Sequence, residues 1–168
     1  KKGEQLTSEQ IQILKDVALT SPTATNSQGW HFSFIENADL INMMEKEIVD
    51  IVMSGENEAA KQRTKSRNNK VIYDAPLLIV ISMKPGAFSL VDAGIAVQSL
   101  ALAAKGLGLE SAILGMTEPL YSNANSAFWH EKTMIPEGYS YAISIAIGYG
   151  NMAGNDRKLD YTKISDVK

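Results

Sequence analysis

With 168 residues, 45% apolar and 21% charged, the chain is long enough for one domain with a real core. A net charge of −3, with no basic stripe interleaved with aromatics, argues against nucleic-acid binding. There is no cysteine, which excludes a disulfide scaffold, a thiolate metal site and a cysteine nucleophile.

No run of about 18 apolar residues occurs, so no transmembrane helix is expected. The chain opens on Lys1-Lys2-Gly3 without a signal-peptide core, and it reads as a fragment or processed product. Thr7 and Gln10 are spaced as a capping box, with Leu6 and Ile11 placed as a staple. Ile11, Leu14, Val17 and Ala18 share one helical face, and Ser21-Pro22 ends that helix.

A polar connector follows, Pro22-Thr23-Ala24-Thr25-Asn26-Ser27-Gln28-Gly29, and leads into an aromatic strand over residues 30–36. Its hydroxyls and carboxamides suit hydrogen bonding to a flat, polar-edged ligand. Trp30 and Phe32 are expected in the core and His31 on the surface. Residues 39–53 predict a second helix ending at Ser54-Gly55, and residues 56–67 are charged and helical at their start. Residues 76–83 form a continuous apolar run, which suits a strand covered on both faces.

Residues 89–105 predict a long helix that is small or apolar nearly all round, with Gly106 at its C′ position. Such a helix is expected to be buried on most sides, partly in a subunit interface, with Gln98 as a dimer contact. Asp92 reads equally as a helix N-terminal charge or a functional acid. Residues 110–116 predict a strand and 118–128 a helix. Trp129-His130 falls in a polar loop, with a lid over the site as the alternative. Residues 139–149 alternate as a strand, and a polar tail begins at Asn151. Helices and strands mix without a βαβ rhythm, which predicts a single α+β domain over residues 1–168.

Catalytic side chains are scarce. No phosphate-binding glycine loop, Walker loop or Gly-x-Ser-x-Gly elbow is present. His31 and His130 stand far apart without a metal-ligand pattern, so no metal is expected. An enzyme built this way would take its chemistry from a cofactor.

Four segments, in order, resemble the nitroreductase family. They are the connector from Pro22 to Phe32; Asn68-Asn69-Lys70-Val71-Ile72-Tyr73-Asp74-Ala75-Pro76; Asp92-Ala93-Gly94-Ile95-Ala96-Val97-Gln98-Ser99-Leu100 with Gly106-Leu107-Gly108; and Pro136-Glu137-Gly138 with Ile147-Gly148-Tyr149 and the basic Arg157-Lys158. The resemblance implies a three-layer α+β fold with a central mixed or antiparallel sheet flanked by helices, in an intertwined homodimer. It further implies a cytoplasmic enzyme with non-covalent FMN at the subunit interface. NADH or NADPH would be the electron donor, and a nitroaromatic, quinone or similar small molecule the acceptor. The alternative is a dimer of the same fold that binds flavin or another ligand without efficient turnover.

By that resemblance Thr23, Asn26 and Gln28 lie near the flavin, and Asn68 and Lys70 face its pyrimidine edge. Gly115 and Met116 approach it from a strand end, and Arg157 or Lys158 meets the phosphate. The flavin carries the chemistry, so no catalytic side chain is assigned. The basic cluster of Lys61, Arg63, Lys65, Arg67 and Lys70 reads as a solvated face or as a neighbour of phosphate. Two departures from the family pattern stand out. Gly29 replaces the usual proline before Trp30, and no Arg-Arg-Ser-x-Arg segment precedes Leu6.

Overall fold

Thr7 begins the first helix as its spacing predicts. Its hydroxyl accepts from Gln10 N at 3.1 Å, and Gln10 Oε1 accepts from Thr7 N at 2.9 Å. In the computed structural model, which describes residues 4–150 and 156–167, this helix is α1 (Ser8–Thr20). Then come β1 (Trp30–Ile35), α2 (Ala38–Ser54), α3 (Glu58–Ser66), β2 (Leu77–Met83) and α4 (Ser89–Gly106). The order closes with β3 (Glu110–Leu114), α5 (Pro119–Ser122), α6 (Ser126–Lys132) and β4 (Ser140–Gly148). Of the polar tail expected from Asn151, residues 151–155 lie outside the described residues.

The four strands run in the order β1-β2-β4-β3, every neighbouring pair antiparallel. β2 is buried at all its positions because it is central and covered on both faces. Side-chain alternation divides the core in two. Leu77, Ile79 and Ile81 of β2, with Ile145 and Ile147 of β4, pack on one face with Leu14 of α1 and Ala96 and Leu100 of α4. Leu78 and Val80, with Ala146, pack on the other with Ile41, Met44 and Ile48 of α2 and with Leu120 and Trp129. Helices therefore cover both sides of one sheet, giving three layers. Among the described residues, no helix is long and apolar enough to cross a membrane.

Several local expectations change. α4 runs one residue further than predicted, and the left-handed C′ residue is Gly108 (φ 73°) rather than Gly106. Leu109 N donates to Ala104 O at 2.9 Å and Gly108 N to Lys105 O at 3.1 Å, a Schellman closure. Its hydrophobic partners Ala104 and Leu109 are both fully buried. The helix expected over 118–128 is two short ones, α5 and α6, with Pro119 opening α5. Trp129 sits in α6, not in a loop, and is only 2% exposed, so it is core rather than lid.

α4 buries one face only within the single chain. Leu90 (73% exposed), Val91 and Leu102 (65%) lie open, and Gln98 is exposed as well. His31 is half-buried rather than on the surface, with its ring edge-on to Tyr139 at 5.9 Å.

Candidate functional site

The connector between α1 and β1 is held in an unusual backbone. Ala24–Asn26 form a 3₁₀ turn, and Thr25, Asn26 and Gln28 all take left-handed φ values (53°, 55° and 48°). Non-glycine residues rarely adopt that region, and where they do the surroundings must hold them there. Here the holding bonds are visible. Gln28 N donates to Thr23 Oγ1 at 2.9 Å, and Gln28 Nε2 donates to Asn26 Oδ1 at 3.0 Å. Ala24 N donates to Asp92 Oδ1 at 2.9 Å, across from the first turn of α4.

Asp92 is 3% exposed, and that bond accounts for its burial. Asp92 thus serves as an acceptor for the connector, a role that neither of its two readings from the sequence included. Lys84 N donates to Gly29 O at 2.8 Å, which ties the connector's end to the residue after β2. A hollow of about 330 Å³ opens there, lined by Thr25, Ser27, Lys84, Phe88, Ser89 and Asp92 among others.

A second unusual segment joins α3 to β2. Asn68 N donates to Lys65 O at 2.9 Å and Asn69 N to Thr64 O at 3.0 Å. Asn68, at φ 52°, is therefore the left-handed C′ residue of α3, a place asparagine tolerates. Asn69, Tyr73 and Asp74 are left-handed too, and for an aromatic residue such as Tyr73 (φ 64°) that is a true outlier.

Glu45 of α2 is the anchor of this segment. Its Oε1 accepts from Ile72 N at 2.9 Å, and its Oε2 accepts from Lys70 Nζ at 3.0 Å. Lys70 Nζ also meets Asp74 Oδ1 at 2.7 Å. The hydrogen bonds to Asp74 and then Glu45 hold the Lys70 ammonium above the ordinary lysine range. Arg67 Nη1 lies 3.8 Å from Met116 Sδ, and the guanidinium sits over the Tyr73 ring at 5.7 Å.

Gly115 and Met116 follow β3. Below them, Thr117 Oγ1 hydrogen-bonds Tyr141 Oη at 2.8 Å and Ser144 Oγ at 2.7 Å, while Tyr141 Oη donates to Leu114 O at 3.0 Å. Tyr141 stacks on Tyr121, and burial raises the pKa of both phenols.

The residues singled out in the sequence thus form two groups. Thr23, Asn26 and Gln28 belong with Asp92 and Lys84 on the α4 side of the sheet. Asn68, Lys70 and Met116 belong with Glu45, Arg67 and Tyr73 on the α2 side. Arg157 and Lys158 are exposed and lie in no helix or strand, and among the described residues they join neither group. Sequence reasoning missed Glu45, although a signal existed: a lone carboxylate interrupts the apolar stripe Ile41, Met44, Ile48. It also missed Tyr73 and Lys84, which carry no local signal.

Comparison with known proteins agrees with this fold. The model of the Nitroreductase family matches residues 2–149, and the chain belongs to that family. No curated protein matches it. Among solved structures, a nitroreductase with bound FMN from Desulfitobacterium hafniense DCB-2 is 29% identical with a TM-score of 0.94, covering 99% of this chain and 90% of its own. An FMN-dependent nitroreductase from Clostridium difficile R20291 is 25% identical, TM-score 0.82, with 98% and 90% covered. A nitroreductase with bound FMN from Bacteroides fragilis NCTC 9343 is 18% identical, TM-score 0.88, again with 98% and 90% covered, a likeness of fold alone.

Proposed function

We propose that the chain is an FMN-dependent oxidoreductase. It takes hydride from NADH or NADPH, passes electrons to a nitroaromatic, quinone or related small-molecule acceptor, and works as a cytoplasmic homodimer. One observation carries the site. Among the described residues, seven of the eight non-glycine residues with positive φ lie in the two segments 25–28 and 68–74. Backbone held in sparsely populated regions clusters where a ligand is gripped. The likeness to the D. hafniense nitroreductase with bound FMN and to the FMN-dependent C. difficile nitroreductase supports FMN as the ligand, and the family likeness supports a nicotinamide donor.

The donor set fits FMN. Hydroxyl and carboxamide groups of Thr23, Asn26, Gln28 and Asn68 suit the polar edge of the ring, and Met116 offers an apolar contact. Arg157 or Lys158 suits the phosphate, for which a charge-assisted bond is strong. Bound FMN supplies the two-electron chemistry; the protein binds it, orients it and restricts water.

The two groups lie on opposite sides of one chain's sheet. A second copy that brings its 23–28 segment against the first copy's 67–74 segment would complete a site, and the open side of α4 is the natural contact. The exposed Leu159, Tyr161, Ile164 and Val167 of the tail offer further apolar surface for it.

The direct test is anaerobic. Protein purified with its flavin should be yellow and lose its visible band on addition of NADH or NADPH. A colourless protein that leaves FMN fluorescence unquenched on titration would refute the proposal. Bound flavin that resists both nicotinamides would instead favour ligand binding without turnover.

A further inference from the structure

Two cations border the 68–74 segment, and their surroundings differ in kind. The Lys70 ammonium is committed to two carboxylates, Glu45 at 3.0 Å and Asp74 at 2.7 Å. Glu45 is itself nearly buried and also accepts from Ile72 N, so this triad clasps the segment to α2. The charge of Lys70 is thus held by the clasp, where two carboxylates already meet it.

Arg67 is different. Among the described residues it is paired with no carboxylate. Its guanidinium rests over Tyr73 and reaches Met116, so it bridges the left-handed segment and the residues after β3. Arginine keeps its charge at any working pH and presents a planar fork of donors.

We propose that Arg67, rather than Lys70, is the cation this chain presents to the negative charge a flavin gains on reduction, while Glu45, Lys70 and Asp74 position the segment. This assignment rests on the FMN reading above.

The test measures the affinity of the protein for reduced and for oxidised FMN by anaerobic titration, together with the melting temperature of each variant. Arg67→Met should cut the preference for reduced FMN about tenfold, as loss of one nearby, partly solvated charge implies. Its melting temperature should fall less than that of a Lys70→Met/Glu45→Gln double variant, since Arg67 is exposed and gives up only its contacts with Tyr73 and Met116. Arg67→Lys should keep most of the preference.

Lys70→Met alone would change the net charge, so it is paired with Glu45→Gln. That double variant removes one charge of each sign and keeps an acceptor for Ile72 N. It should melt lower and keep the wild-type preference. A preference retained in Arg67→Met, or lost in the Lys70/Glu45 double variant, would overturn the assignment. Wild-type protein that takes up neither form of FMN would overturn the flavin reading, and this assignment with it.

Discussion

Asp92 Oδ1 accepts the backbone N–H of Ala24 at 2.9 Å, joining residues 68 apart in sequence. This one bond fixes the connector before β1 to the first turn of α4, and so couples the candidate site to the helix expected at the subunit contact. Asp92→Ala leaves a half-buried amide without its partner, at a cost of about 1 kcal/mol. Asp92→Asn keeps an acceptor and should cost less. Urea melts of both variants check this; an Asp92→Ala midpoint equal to wild type would remove the tie.

The end of α4 separates two glycines that look alike in sequence. Gly108 needs its positive φ, and a Cβ there would meet nothing within 4 Å, so Gly108→Ala is penalised through the backbone alone. About 1–2 kcal/mol is expected to be lost. Gly106 lies in the last helical turn with equally open space, and Gly106→Ala should gain about 0.5–1 kcal/mol. Opposite signs in denaturant melts are the prediction; equal signs would reject the Schellman assignment.

Much of this fold could be read locally, because the signals were short-range. The Thr7–Gln10 box, the two-sided apolar run of β2 and the alternation of β4 each lie within a few residues. Gly106 misled because either glycine can end a helix, and only the packing of Leu109 against Ala104 chooses Gly108. Trp129 looked like loop because its polar neighbours hide it, while its burial depends on distant partners on the α2 face. The connector was legible as a polar, hydrogen-bonding segment from residue type, but its left-handed backbone was not. The partner of Ala24 N lies 68 residues on. Lys70 was legible as a cation, whereas its contact with Glu45 requires α2 to lie alongside.

Burial lowers the pKa of His31, whose Nδ1 has no hydrogen-bond partner among the described residues. The unfolded chain therefore binds a proton more readily than the folded one near the ordinary value of 6.5. The stability linked to His31 is present above that value and is lost as pH falls through the lowered, folded value. Melts of wild type and His31→Gln at about pH 7.5 and about pH 5 test this, since the wild type should lose more on acidification. Parallel losses would remove His31 as the cause.

Leu90 and Leu102 expose most of their side chains on α4. Burial against a second copy would stabilise each by about 1.5–3 kcal/mol. Sedimentation should find the wild type dimeric at micromolar concentration and the Leu90→Glu/Leu102→Glu variant monomeric. A monomeric wild type would remove α4 as a subunit contact.

The proposed FMN site is shared between the 23–28 segment of one chain and the 67–74 segment of another. Asn26 and Asn68 both have positive φ, so Asn26→Gly and Asn68→Gly delete a carboxamide without backbone strain. Each variant alone should bind FMN weakly. In an isolated mixed dimer of the two, one site carries both defects and the other carries neither. Titration of that mixed dimer should recover about half the wild-type FMN at wild-type affinity, as two-fold symmetry requires. A mixed dimer that binds no better than either parent would contradict the shared site.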